Sequence, residues 1–107
     1  MANIFTKIGY RTQVTDYVGD KGVDIWAHKD GFKYPIQCKA RKKPISPGVA
    51  RELYGTMNSF GCDKAFLVSR SGFSKGVYEF CATKSIELID LSALINIQKK
   101  IADIEEE

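Results

Sequence analysis

Val23-Asp24-Ile25-Trp26-Ala27-His28, then Asp30-Gly31, then Phe32-Lys33-Tyr34-Pro35-Ile36-Gln37-Cys38-Lys39-Ala40, is the stretch from which the fold can be read. Its first six residues alternate. In an extended chain Val23, Ile25 and Ala27 fall on one face, with Asp24, Trp26 and His28 on the other. Asp30-Gly31 is the strongest short signal for a two-residue hairpin turn. Residues 32–40 then read as a second strand, with Tyr34, Ile36 and Cys38 facing away from Lys33, Gln37 and Lys39. A two-residue turn sets Ile25 against Ile36, Val23 against Cys38 and Ala27 against Tyr34, which makes one consistent apolar face. The same register places Asp24 directly opposite Gln37 and one diagonal step from Lys39. Such neighbours have Cβ atoms about 4.5–5.5 Å and about 7–8 Å apart, respectively. A one-residue bulge would shift the pairing without separating these groups widely.

Outward from the hairpin, residues 1–8 are too short for a stable helix of their own and resemble the last turns of one ending at Gly9. Residues 11–15 read as a strand and residues 16–22, with Gly19, Asp20 and Gly22, as a turn. On the other side, Ser46 and Pro47 have the character of an N-cap and N1 pair. They open a helix carrying Val49, Leu53, Met57 and Phe60 and stopping at Gly61. Residues 64–69 contain the continuous apolar run of a buried strand. Ser71-Gly72-Phe73-Ser74 turns into a second helix with Val77, Phe80 and Cys81 inward. Residues 85–89 form a last strand, and Asp90 caps a final helix lined by Leu94, Ile97, Ile101 and Ile104. The order β-β-β-α-β-α-β-α predicts an α/β fold, a mixed sheet flanked by helices with parallel, right-handed strand-helix-strand crossovers.

Composition narrows the class. At 107 residues, 44% hydrophobic and 27% charged, the chain suits one domain over residues 1–107. No segment approaches the roughly 18 apolar residues of a membrane span, and the start lacks the pattern of a signal peptide, so a cytoplasmic location is expected. Cys38, Cys62 and Cys81 are odd in number and have no CxxC pairing, which argues against a disulfide framework and a zinc site. The net charge of +3 hides an asymmetry. Asp103, Glu105, Glu106 and Glu107 crowd the end, leaving 16 basic against 9 acidic side chains before them. Such an excess suits a polyanionic partner.

The convergence of Asp24, Gln37 and Lys39 has a chemical reading. Hydrolysing a phosphodiester requires offsetting charge at phosphorus and supplying hydroxide, and a divalent metal serves both needs. Magnesium takes oxygen ligands, and here Asp24 offers a carboxylate, Gln37 an amide oxygen and Cys38 a backbone carbonyl. Lys39 beside them can orient or deprotonate water, or stabilise the transition-state charge. The alternative is the solvated polar face that most antiparallel hairpins present.

Several stretches in order resemble the catalytic domain of Mrr-type restriction endonucleases, of the PD-(D/E)xK superfamily. They are Gly19-Asp20-Lys21-Gly22-Val23-Asp24, Ile36-Gln37-Cys38-Lys39, Lys43-Pro44-Ile45-Ser46-Pro47, Arg51-Glu52-Leu53-Tyr54-Gly55, Ser71-Gly72-Phe73-Ser74-Lys75-Gly76 and Ile86-Glu87-Leu88-Ile89-Asp90. The likeness covers residues 9–94. It implies a restriction-endonuclease-like fold that cleaves DNA with Mg²⁺ or Mn²⁺. Asp24 then matches the family's acid, and Gln37 and Lys39 its Gln/Glu-x-Lys pair. The family usually adds a glutamate from an N-terminal helix, whereas no acid precedes Asp16 here. Another subunit supplies it, or one metal suffices, or cleavage is poor; Asp16 and Asp20 are substitutes to consider.

DNA contact is expected through phosphates, from Arg41, Lys42 and Lys43, from Ser46 at the helix start, and more weakly from Ser71 and Lys75. His28 reads as a surface histidine. Trp26 reads as packing, against the N-terminal segment or a partner subunit. Three functions stay open: a metal-dependent DNA endonuclease, a nuclease-fold module that binds DNA without cutting, and a branched-DNA (Holliday junction) resolvase. Cutting both strands calls for a homodimer or sequential events.

Overall fold

A computed structural model describes residues 1–15 and 23–106. Along the chain run α1 (Ala2–Lys7), β1 (Arg11–Val14), β2 (Ile25–Lys29), β3 (Phe32–Lys39), α2 (Pro47–Ser59), β4 (Ala65–Ser69), α3 (Lys75–Cys81), β5 (Ile86–Ile89) and α4 (Leu91–Glu106). The strands form one mixed sheet in the order β1-β2-β3-β4-β5. Pairing is antiparallel from β1 to β3 and parallel from β3 to β5. The expected strand and helix order holds, preceded by α1. That segment does form a helix, because tertiary packing supplies what its length does not: Phe5 is buried against the rings of Tyr10 and Phe66.

The hairpin register is the one the alternation requires. Ile25 pairs with Ile36 and Ala27 with Tyr34, and the turn residues Asp30 and Gly31 take φ of 54° and 84°. Two successive positive φ values define the type I′ turn, whose twist matches the strands it joins.

The sheet has a core on each side. Ile25, Ala27, Ile36, Phe66 and Val68 pack with Phe5 of α1 and Leu94 of α4. On the opposite face Ala65 and Leu67 pack with Leu53 and Met57 of α2 and Val77 of α3. Each of the larger side chains here, from valine to phenylalanine, contributes roughly 1.5–3 kcal/mol when fully withdrawn from water. At its end, α2 closes with Gly61 N–H donating to the Asn58 carbonyl and Cys62 N–H to that of Met57, the paired bonds of a Schellman motif. Asp90 caps α4 as expected, its Oδ1 accepting the Ala93 N–H at 2.9 Å. Of the final helix stripe, Leu94 and Ile101 are buried, while Ile104 is exposed.

Trp26 corrects one expectation. It is buried against Phe60 at the end of α2, ring centroids 5.1 Å apart, and Lys33 Nζ sits 4.2 Å from its ring centre. The residue staples the hairpin to α2, so neither the N-terminal segment nor a second subunit is needed to cover it.

Candidate active site

Three strands meet at one end of the sheet, where β3 stops. β2 begins at this end, and the loops after β3 and β4 leave from it. Those loops are joined by a parallel bridge between Ile45 and Phe73. Ile45 N–H donates to the Gly72 carbonyl, and Ser74 N–H donates to that of Ile45. Pro47, at the start of α2, packs closely on Gly76 in the first turn of α3, where a Cβ would stand 2.7 Å from the proline Cγ. The starts of both helices are thereby held at the ends of the parallel strands.

Asp24 lies just before β2 and is exposed. Its pairing differs from the simple register. The Asp24 N–H donates to the Ile36 carbonyl at 3.0 Å, so Asp24 and Ile25 both address Ile36, as in a bulge. Asp24 is therefore not squarely opposite Gln37. The Cys38 N–H, left without a strand partner on that side, donates to Asp24 Oδ2 at 2.7 Å. A charged acceptor strengthens such a bond. The acid is thus tied to the middle of the Gln37-Cys38-Lys39 run by a contact the alternation did not foresee.

Gln37 is 2% exposed, and its Oε1 has no hydrogen-bond partner. Buried amide oxygens in this condition are uncommon, and an oxygen left without a hydrogen-bond partner suits a hard cation, which takes oxygen ligands. Lys39 closes β3, half-buried, level with Ser69 of β4 in the parallel register. Burial pushes the Cys38 thiol up to about 11, the Asp24 charge adds to the rise, and the Met1 amino group opposes it. Cys38 thus presents a neutral thiol. All three cysteines are free, as their spacing indicated.

The structure distributes the remaining expected residues unevenly. Arg41, Lys42 and Lys43 are exposed just beyond Lys39, and Ser46 occupies the N-cap of α2 without spending its hydroxyl on the cap. Ser71 is already engaged: its hydroxyl donates to the Arg41 carbonyl and ties the two loops together. Lys75 is exposed and pairs with Glu79 at 3.8 Å. His28 stands between Arg11 and Lys33 in the sheet, toward the far end of the hairpin from Asp24. Asp16 and Asp20 lie outside the described residues. Among the described residues no three His, Cys, Asp or Glu side chains gather as metal ligands.

One polar residue escaped the sequence reading. Ser69 is completely buried and its Oγ has no partner. It ends the apolar run Ala65-Phe66-Leu67-Val68, which conceals the face it occupies. The only signal was its position as the last residue of a buried strand, level with Lys39.

This α/β architecture is that of restriction endonucleases. The chain superposes on the DNA modification-dependent restriction endonuclease AspBHI with a TM-score of 0.76 at 12% identity, over 94% of this chain and 30% of that one. It superposes on the MspJI restriction endonuclease, solved with a 27-mer oligonucleotide, with a TM-score of 0.63 at 18% identity, over 90% and 24%. A protein of unknown function, AF1548, gives 0.70 at 22% identity over 85% and 54%. The chain spans about half the length of AF1548 and under a third of the two enzymes. No curated protein matches the sequence at a significant level. The restriction endonuclease family model of the Mrr catalytic domain matches residues 1–98, and the chain belongs to that family.

Proposed function

We propose that this domain is a metal-dependent DNA endonuclease with Asp24, Gln37 and Lys39 at its centre. The observation that carries the reading is the Asp24 carboxylate clamped on the N–H of Cys38, the residue that follows Gln37, whose own buried Oε1 has no partner. Together with the Cys38 carbonyl these groups would hold Mg²⁺ or Mn²⁺, which when bound supplies Lewis acidity and an acidified water. Asp24 contributes the one charged ligand, and its clamp keeps it at a fixed height on the hairpin. Gln37 contributes a neutral oxygen from a site closed to bulk water. Lys39 places an ammonium at the strand end, where it stabilises charge developing on the phosphate and orients the attacking water.

DNA reaches this end along Arg41, Lys42 and Lys43 and the start of α2 at Ser46, with Lys75 at the margin. Ser71 serves DNA indirectly, by holding Arg41 in place. MspJI was solved with an oligonucleotide, which supports DNA as the partner. One site breaks one strand, so duplex cutting calls for a homodimer or two visits. No described helix is long and apolar enough to cross a membrane, and three free thiols suit a cytoplasmic setting.

Plasmid incubated with the protein and Mg²⁺ or Mn²⁺ tests the reading. Nicking by wild type that is lost in Lys39→Ala and in EDTA supports it. If both proteins leave plasmid, linear duplex and branched junctions equally intact, catalysis is excluded. Retained salt-dependent binding would then identify a DNA-binding module.

A further inference from the structure

Ser69 and Gln37 are the two residues among those described whose side chains are at most 2% exposed and carry a polar atom with no partner. The register of β3 and β4 relates them. Gln37 is level with Leu67 and Lys39 with Ser69, and Leu67 packs in the core beneath α2 and α3. Side chains two apart on a strand share a face, so Gln37 and Ser69 are diagonal neighbours on that side of the sheet. A strand spacing of about 4.8 Å and a two-residue step of about 6.6 Å separate their Cα atoms by about 8 Å, a gap that glutamine and serine can bridge together. Their needs are complementary. Oε1 is an acceptor with two lone pairs, and a serine hydroxyl carries one proton to donate. The Lys39 ammonium, level with Ser69, offers donors only and would leave the serine proton unused.

We propose that Ser69 is a positioning residue for Gln37. Its hydroxyl donates to one lone pair of Oε1 when a divalent cation takes the other, and so fixes the direction in which the amide presents its oxygen. This rests on the metal site proposed above and adds to it an outer contact from the neighbouring strand. Hydrogen bonds of that kind orient metal-binding groups, and their loss typically weakens metal affinity or activity about 10–100-fold. The metal-free protein carries the cost, because a buried hydroxyl without a partner is unfavourable.

Mn²⁺ alone is the probe, titrated into wild type, Ser69→Ala, Ser69→Thr and Asp24→Ala, with free Mn²⁺ followed by electron paramagnetic resonance. Melting temperatures of the metal-free proteins are measured in parallel. Ser69→Ala is expected to melt at or above wild type, since it removes the unpartnered hydroxyl, yet to bind Mn²⁺ about 10-fold more weakly. Ser69→Thr keeps the hydroxyl and is expected to stay nearer wild type in affinity. If Asp24→Ala loses Mn²⁺ while Ser69→Ala binds it as wild type does, the role of Ser69 is overturned and the metal site stands. Should wild type and Asp24→Ala bind Mn²⁺ alike, both fall. A Ser69→Ala protein melting well below wild type would make the residue a core element instead.

Discussion

The backbone N–H of Cys38 donates to Asp24 Oδ2 at 2.7 Å, across the point where β2 and β3 cease regular pairing. The bond makes Asp24 a structural and a chemical residue at once, and two substitutions separate these parts. Asp24→Asn keeps an acceptor for Cys38 but loses the charge. It should fold with nearly wild-type stability in urea and lose DNA nicking by at least about 100-fold. Asp24→Ala strands the N–H as well, and should cost about 1–2 kcal/mol more.

Cys38 should resist alkylation. Its thiol rises from the ordinary 9.0 to about 11, chiefly through burial. Two pH units mean about 100-fold less thiolate near pH 8 than in the unfolded chain. Iodoacetamide followed by peptide mass mapping should therefore label Cys38 far more slowly in buffer than in urea. Between pH 9 and 11 the folded chain keeps a proton that the unfolded chain has released. This contribution is complete below pH 9 and is lost as pH rises through that window. Urea midpoints across the range should fall less in Cys38→Ala.

Gly76→Ala should destabilise the protein although it places a better helix former in α3. The gain in propensity is about 1 kcal/mol, but the new Cβ would lie 2.7 Å from the Pro47 ring, and overpacking of that kind costs about 1–3 kcal/mol. A net loss of about 1 kcal/mol, read from urea unfolding, is expected. Because the contact aligns the starts of α2 and α3, DNA affinity should fall as well.

Trp26 is the only tryptophan, so its fluorescence reports the contact with Phe60. Phe60→Ala should shift its emission to the red and cost about 1 kcal/mol, the scale of an edge-to-face aromatic pair. An unchanged spectrum would show that the hairpin is not held to α2 through this pair.

The loop cations should act additively on DNA. Each of Arg41→Ala, Lys42→Ala and Lys43→Ala should lower the slope of log affinity against log salt by about 0.9 for a duplex, if each contacts one phosphate. Fluorescence anisotropy at several salt concentrations measures this. Lys75→Ala should matter less, since Glu79 already shares its charge.

Local pattern determined a great deal of this protein. The alternation of Ile25 to Ala27 and of Tyr34 to Ile36, with Asp30-Gly31 between them, determined the hairpin register, because side chains alternate strictly and the turn leaves little choice of pairing. Ser46-Pro47, Gly61 and Asp90 marked helix ends through backbone chemistry that acts over a few residues. Tertiary structure decided what depends on distant partners. The bulge at Asp24 and its clamp on Cys38 arise where the two strands part, and no spacing rule encodes that. Phe60 beneath Trp26, Pro47 on Gly76, and Ser69 diagonal to Gln37 each join segments whose separation in the chain exceeds any local period. A period reveals which face a residue occupies; only packing reveals what waits on that face.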